Sequence, residues 1–99
     1  MKLVIAARAE LEIQRKAASW EKHSTVSPGL FWEELREAIK RLSMEPYAGR
    51  SWKSPSGRQL YRLLLPATAN HLYYSYEPNK AVLTILCLWG ARRGREPKL

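Results

Sequence analysis

The residues of this chain best equipped for chemistry are its cations. Seventeen Lys and Arg stand against nine carboxylates, all of them Glu, for a formal net charge of +8. The excess is uneven. Residues 1–49 hold eight basic and seven acidic side chains, whereas residues 50–99 hold nine basic and two acidic. Arg58, Arg62, Arg92, Arg93, Arg95 and Lys98 all fall in the second half. Such an excess suits a polyanionic partner, either nucleic acid or an acidic protein segment; the alternative is a solvated basic surface. Without aspartate, no Ser-His-Asp arrangement exists and paired-carboxylate chemistry is largely closed. One cysteine, Cys87, rules out an internal disulfide and is most simply a small buried hydrophobe. Two histidines are too few for a structural zinc site, so neither metal nor cofactor is expected.

Bases are scarcer than cations. His71 alone lies near the cationic half, and a strand-end histidine is more often bonded to backbone or water, so no catalytic residue is assigned. His23 falls where a helix should end, a position that suits its partly positive ring. Tyr61, Tyr73, Tyr74 and Tyr76 could stack bases beside arginines, but strand tyrosines more often pack across strands. Alternation puts Leu72, Tyr74 and Tyr76 on one face and Tyr73 and Ser75 on the other. Of four tryptophans, Trp20 and Trp89 read as core. Trp32 sits at the edge of a buried helical stripe and Trp52 in a loop, which makes these two the candidate contacts for a protein partner.

These residues need elements to hold them. Lys2 to Ala6 reads as a strand. Ala9, Ile13, Ala17 and Trp20 then recur at helical spacing, and the helix should stop near His23, before the polar Ser24-Thr25. Ser27-Pro28 predicts the start of a second helix, with Phe31, Leu35, Ala38, Ile39 and Leu42 on its buried stripe. In that helix Glu37 and Arg41 form a favourable four-apart pair. Pro46 and Gly49 mark a turn, and Ser51 to Gly57 reads as a loop. Three strands follow, Gln59–Leu65, His71–Glu77 and Ala81–Trp89, with the last placed centrally because it is apolar on both faces. Short connections make them an antiparallel meander. The expected fold is α+β with two layers and the order β-α-α-β-β-β. A helical hairpin covers one face of a mainly antiparallel four-stranded sheet. Residues 1–90 form one domain and 91–99 a basic, extended C-terminal tail. No segment resembles a signal-peptide core or a membrane span, so a reduced cytosolic setting is expected.

In that order the chain resembles the RelE/ParE superfamily of toxins from type II toxin–antitoxin pairs, and is nearer the ParE-like branch. Ala9 with Trp20 carries the resemblance in the first helix, and Glu34-Leu35…Ala38…Leu42 in the second. Pro46…Gly49-Arg50 matches the family's turn. Arg62-Leu63-Leu64-Leu65-Pro66 and His71-Leu72-Tyr73-Tyr74 match its meander, and Leu88-Trp89-Gly90-Ala91-Arg92-Arg93-Gly94-Arg95-Glu96-Pro97 its ending. The resemblance implies a toxin neutralised by a cognate antitoxin with an acidic segment, as a homodimer or a hetero-oligomer with that antitoxin. It implies first a non-enzymatic, ParE-like inhibitor of DNA gyrase, and as the alternative a RelE-like, metal-independent endoribonuclease acting on mRNA at the ribosome. Under either, Arg58, Arg62, Arg92, Arg93, Arg95 and Lys98 are the target-contact residues. Cleavage would need a base, an acid and cations around the phosphate. The chain departs from the family at Gly90, where members often carry His. It departs again at Ser75, Ala67 and Ala69, where they often carry Arg. Those departures lower the nuclease reading and leave a third, a degenerate toxin fold that only binds.

Overall fold

A computed structural model describes residues 1–24 and 26–99. The elements run β1 (Lys2–Ile5), α1 (Ala7–His23), α2 (Leu30–Met44), β2 (Arg50–Lys53), β3 (Gln59–Leu65), β4 (Asn70–Glu77) and β5 (Val82–Gly90). Two helices pack on one face of a single mixed sheet, ordered β1-β5-β4-β3-β2. The two-layer α+β architecture is the one expected, and β5 is internal as expected. It pairs in parallel with β1 and antiparallel with β4.

The sheet has five strands rather than four. Arg50–Lys53, read as turn and loop, pairs antiparallel with β3. Its four residues, RSWK, show no apolar alternation because one side is an exposed sheet edge. The second helix also begins later than Ser27-Pro28 implies. Gly29 occupies the N-cap without a side-chain bond, and the Ser27 carbonyl, not its hydroxyl, is used, accepting from Leu30 N–H and Trp20 Nε1. At the end of α2, Arg41 pairs with the C-cap residue Glu45 at 3.9 Å rather than with Glu37. Thr25, in the polar stretch expected after α1, lies outside the described residues.

The core lies between the helices and the sheet. Ala9, Ile13 and Ala17 of α1 and Phe31, Leu35, Ala38 and Leu42 of α2 meet Leu63, Leu65, Leu72, Tyr74, Leu83, Ile85 and Leu88. The two alanines on α1 let its backbone approach β5 closely. Each large apolar side chain buried here contributes roughly 1.5–3 kcal/mol. Two polar contacts fix the connections. Glu34 accepts from Ala67 N–H, Thr68 N–H and Thr68 Oγ1, capping the β3–β4 turn. Tyr74 Oη donates to the Pro46 carbonyl at 2.8 Å and accepts from Gly49 N–H at 2.9 Å. A Cβ on Gly49 would stand 2.8 Å from that hydroxyl and 2.9 Å from the Arg62 carbonyl, so only glycine fits the turn.

A β-bulge decides what the opposite face carries. Tyr73 pairs with Cys87, but the next residue, Tyr74, pairs with Ile85, so Leu86 is extra. Before the bulge, odd-numbered Leu83 and Ile85 face the helices; after it, even-numbered Leu88 does. Cys87 and Trp89 are thereby turned to the far face. Trp89 is half-buried there and is not a core residue, contrary to expectation, because the pleat is broken once along its strand. Trp20 is partly buried against the core.

Candidate functional site

The far face of the sheet collects the side chains that alternation turns away from the helices: Leu60, Arg62 and Leu64 on β3, His71 and Tyr73 on β4, and Cys87 and Trp89 on β5. Its lower part is closed by the C-terminal segment. Trp52 Nε1 donates to Glu96 Oε2 at 2.6 Å, and the Trp52 ring meets Tyr73 edge-on at 4.7 Å. Arg8 donates to the Lys98 carbonyl at 3.0 Å, and Ser56 Oγ to the Leu99 carbonyl at 2.7 Å. Leu60, Tyr73, Cys87 and Pro97 are all buried, although they lie outside the helix-side cluster. Residues 91–99 therefore form an extended strap pinned across the sheet. Trp52 lies in β2 rather than a loop, and its ring and N–H are both engaged by the fold.

Above the strap the face stays open. A recess of about 280 Å³ is lined by Arg62, His71, Tyr73, Trp89, Arg93 and Arg95. The register explains the convergence. Arg62 is the partner of Tyr73, and His71 that of Trp89, one pair further along the ladder. Beyond β5 the chain turns, Arg93 N–H donating to the Gly90 carbonyl, and this brings the tail arginines back over the strand. Trp89 Nε1 donates to the Arg95 carbonyl at 2.9 Å, and the Arg93 guanidinium lies 3.9 Å from the Trp89 ring centroid. Stacking on the indole holds Arg93 in place while leaving its N–H groups for a ligand.

A second recess of about 400 Å³ adjoins the first and shares Arg62 and His71 with it. Arg41, Arg50 and Leu64 line it too. Arg50 and Arg62 are direct cross-strand partners. Like charges set opposite one another destabilise a sheet. Among the described residues, the salt bridges are Arg8–Glu12, Arg41–Glu45 and Lys80–Glu77. Arg50, Arg62, Arg93 and Arg95 have no carboxylate partner among them; Arg62 is half-buried and the other three are exposed. Glu96 lines the first recess, but its carboxylate accepts from Trp52.

His71 is half-buried, with its ring 6.1 Å from Tyr73 and no side-chain hydrogen bond among the described residues. Burial first, then the charge of Arg62, push its pKa below the ordinary 6.5. The imidazole is thus neutral near pH 7 and free to accept a proton. By contrast, His23 ends α1 as expected, with Nδ1 donating to the Ser19 carbonyl at 2.9 Å.

Of the sequence candidates, Arg62, Arg93 and Arg95 converge on the first recess. Arg58, Arg92 and Lys98 do not line it. Arg58 sits in the β2–β3 turn, near which the chain ends; Arg92 points outward; the Lys98 backbone helps pin the strap. Arg41, Arg50 and His71 also line the two recesses, although the sequence alone does not mark them as target contacts. A signal for Arg50 did exist, for it lies twelve residues before Arg62 across a Ser, Pro and Gly turn, as hairpin partners do. Trp32 is half-buried, edge-on to Phe31 at 5.6 Å, beside an apolar groove of about 170 Å³ with Ile5, Ile13, Leu35 and Ile39. Cys87 is buried, and its thiol is pushed up to about 12, mainly by burial. Among the described residues no cluster of His, Cys and Glu could hold a metal ion, and no helix is long and apolar enough to cross a membrane.

Comparison by sequence with protein-family models and with curated proteins finds no match. Solved structures do match. A YoeB/ParE toxin from Agrobacterium tumefaciens superposes with a TM-score of 0.65 at 15% identity, over 91% of this chain and 98% of that one. A chain of the intact E. coli RelBE toxin–antitoxin complex gives 0.60 at 20%, over 93% and 98%. One of the RelE–RelB complex from the archaeon Pyrococcus horikoshii gives 0.55 at 18%, over 94% and 97%. At these identities the likeness is one of fold.

Proposed function

We propose that this chain, which has the fold of the RelE/ParE superfamily toxins, is the toxin of a type II toxin–antitoxin pair and acts on RNA through the open face of its sheet. The observation that carries this reading is the recess in which Arg62, Arg93 and Arg95 surround a neutral His71. In metal-independent cleavage the RNA's own 2′-hydroxyl attacks the adjacent phosphorus, and the P–O5′ bond breaks. The products are a cyclic phosphate and a 5′-hydroxyl. His71 accepts the 2′-hydroxyl proton as the attack begins. Arg62 and Arg93 donate hydrogen bonds to the non-bridging oxygens, where charge builds in the pentavalent transition state. The leaving 5′-oxygen takes its proton from water. Trp89, with Arg93 on one side, offers an indole against which a base can stack.

The test is mRNA integrity in a bacterial translation extract. The parent chain should cut mRNA, and Arg62→Ala and His71→Gln should each lower cleavage by a factor of about a hundred or more, the usual size of a lost acid–base or charge-stabilising group. Intact mRNA with the parent protein would overturn the reading.

A second reading, a ParE-like toxin that binds DNA gyrase without cutting RNA, is favoured by one observation. Among the described residues lining the recess, His71 is the only imidazole, the one carboxylate, Glu96, is engaged by Trp52, and Gly90 supplies no side chain. Loss of gyrase supercoiling on adding the parent protein, with mRNA left whole, would select this reading. For the antitoxin, the basic face suits an acidic segment, and the apolar groove at Trp32 suits a nonpolar side chain of the same partner. Growth arrest on expression alone, relieved by the cognate antitoxin, supports the toxin assignment. Unimpeded growth would favour a fold retained only for binding.

A further inference from the structure

A third recess lies around the end of β5 from the Arg62–His71 recess. Glu12, Arg15, Lys16 and Ser19 follow one another on α1 at intervals of three, one and three residues, so they form a single stripe. The stripe faces the last residues of β5. With Leu88, Gly90 and Arg93 it lines a recess of about 330 Å³. Its charge is unbalanced. Glu12 is used up structurally: Oε1 accepts from Leu88 N–H at 3.1 Å, and Oε2 accepts from Arg8 Nε at 3.1 Å. β1 ends at Ile5, so the outer edge of β5 has no strand partner beyond Ile85, and Glu12 caps it. Arg15, Lys16 and Arg93 are left with no carboxylate among the described residues.

Gly90 joins this recess to the first. Both recesses are lined by Gly90 and Arg93. A Cβ on Gly90 would lie 3.5 Å from Lys16 Nζ and 3.6 Å from Arg93 Cγ, so the lysine head stands directly over a bare backbone. A longer side chain here would separate the two cavities; glycine leaves a saddle between them. Arg93, held on Trp89, faces both sides of it.

We infer that Lys16, Arg15 and Arg93 form a second phosphate-binding site, and that an RNA strand held in the Arg62–His71 recess crosses Gly90 to place a neighbouring backbone phosphate in it. The inference rests on the RNA reading of the first recess. Three unpaired cations around a concave space with the Ser19 hydroxyl at its rim match a phosphodiester, and one fixed guanidinium serves two successive phosphates. The site carries no base-reading group, so it adds affinity and register but not sequence preference.

Fluorescence polarisation with labelled single-stranded RNA tests this, using the full chain with His71→Gln to prevent cleavage. Two RNAs serve as probes, a dinucleotide and an octanucleotide, each titrated over a range of NaCl. In that background Lys16→Ala with Arg15→Ala should weaken the octanucleotide and reduce its salt slope by about 1.4, two contacts at roughly 0.7 each. The same change should leave the dinucleotide unaffected, and Lys16→Arg should restore most of the loss. Gly90→Leu, placed on backbone that any residue can adopt, should reproduce the loss for the octanucleotide by blocking the saddle. Inorganic phosphate separates the sources. If it competes at millimolar concentration with the octanucleotide but the slope is unchanged by the α1 variants, the recess is a free-anion site and the inference is overturned. An octanucleotide bound equally well by parent and α1 variants, yet lost on Arg62→Ala, also overturns it while leaving the first recess standing. No RNA binding by the parent overturns both.

Discussion

Arg50 and Arg62 lie across from each other at the cost of mutual repulsion. Arg50→Gln should therefore raise thermal stability, by about 0.2–1 kcal/mol, while weakening RNA binding. Paired melting curves and polarisation titrations check both signs; a variant that is less stable would show that the pair is not strained. His71 sets a pH dependence. Its folded pKa lies below 6.5, so the unfolded chain takes up this proton at higher pH than the folded one. The His71 contribution to stability is full above about pH 6.5 and is lost as the pH falls through the window beneath it. Cleavage should rise with pH and level off below the midpoint of a free imidazole. An NMR titration of the ring resonances gives the midpoint, and a value above 6.5 would contradict the burial and Arg62 argument. At the turn, Tyr74→Phe removes the hydroxyl shared by Pro46 and Gly49 and leaves a partly buried N–H without its partner. Chemical denaturation should register a loss of about 1–3 kcal/mol.

The C-terminal strap behaves as an element although it has no regular structure. Its anchors are indoles, backbone carbonyls and one buried proline, and they cover Leu60, Tyr73 and Cys87. Deleting residues 96–99 removes Glu96, Pro97 and the acceptor of Arg8 together. Cys87, inert in the parent because burial pushes its thiol up to about 12, should then react with a thiol reagent at pH 8 at least tenfold faster. Equal labelling rates would mean that the strap does not seal this face. The helical hairpin acts differently. It braces the sheet from the opposite side and reaches past the strand ends, so that α1 caps β5 through Glu12 and delivers Arg15 and Lys16 to the end of the sheet.

At the scale of the whole molecule, charge is sorted by the fold. The fold gathers Arg50, Arg62, Arg93 and Arg95 at two adjoining recesses, and the helices carry most of the carboxylates. Association with an acidic partner should be steep in salt, because exposed charges are screened beyond about 10 Å at 0.1 M ionic strength. A titration of affinity for the proposed antitoxin against NaCl measures it, and a flat response would assign the interface to the apolar groove at Trp32 instead.

Periodicity alone determined the helices, the three long strands, the central place of β5 and the concentration of positive charge in the second half. These depend on side-chain spacing of 3.6 or 2 along the chain, which a sequence displays directly. Arg62, Arg93 and Arg95 were legible as cations, but their meeting was not. Only the tertiary structure decided it, through a bulge that turns Trp89 outward, a short edge strand whose pattern is polar, and a strap fixed by single hydrogen bonds between distant residues. Each of these depends on pairing with another element, a hairpin neighbour for the bulge and the edge strand and residues more than forty positions away for the strap, which the periodicity of one segment does not record.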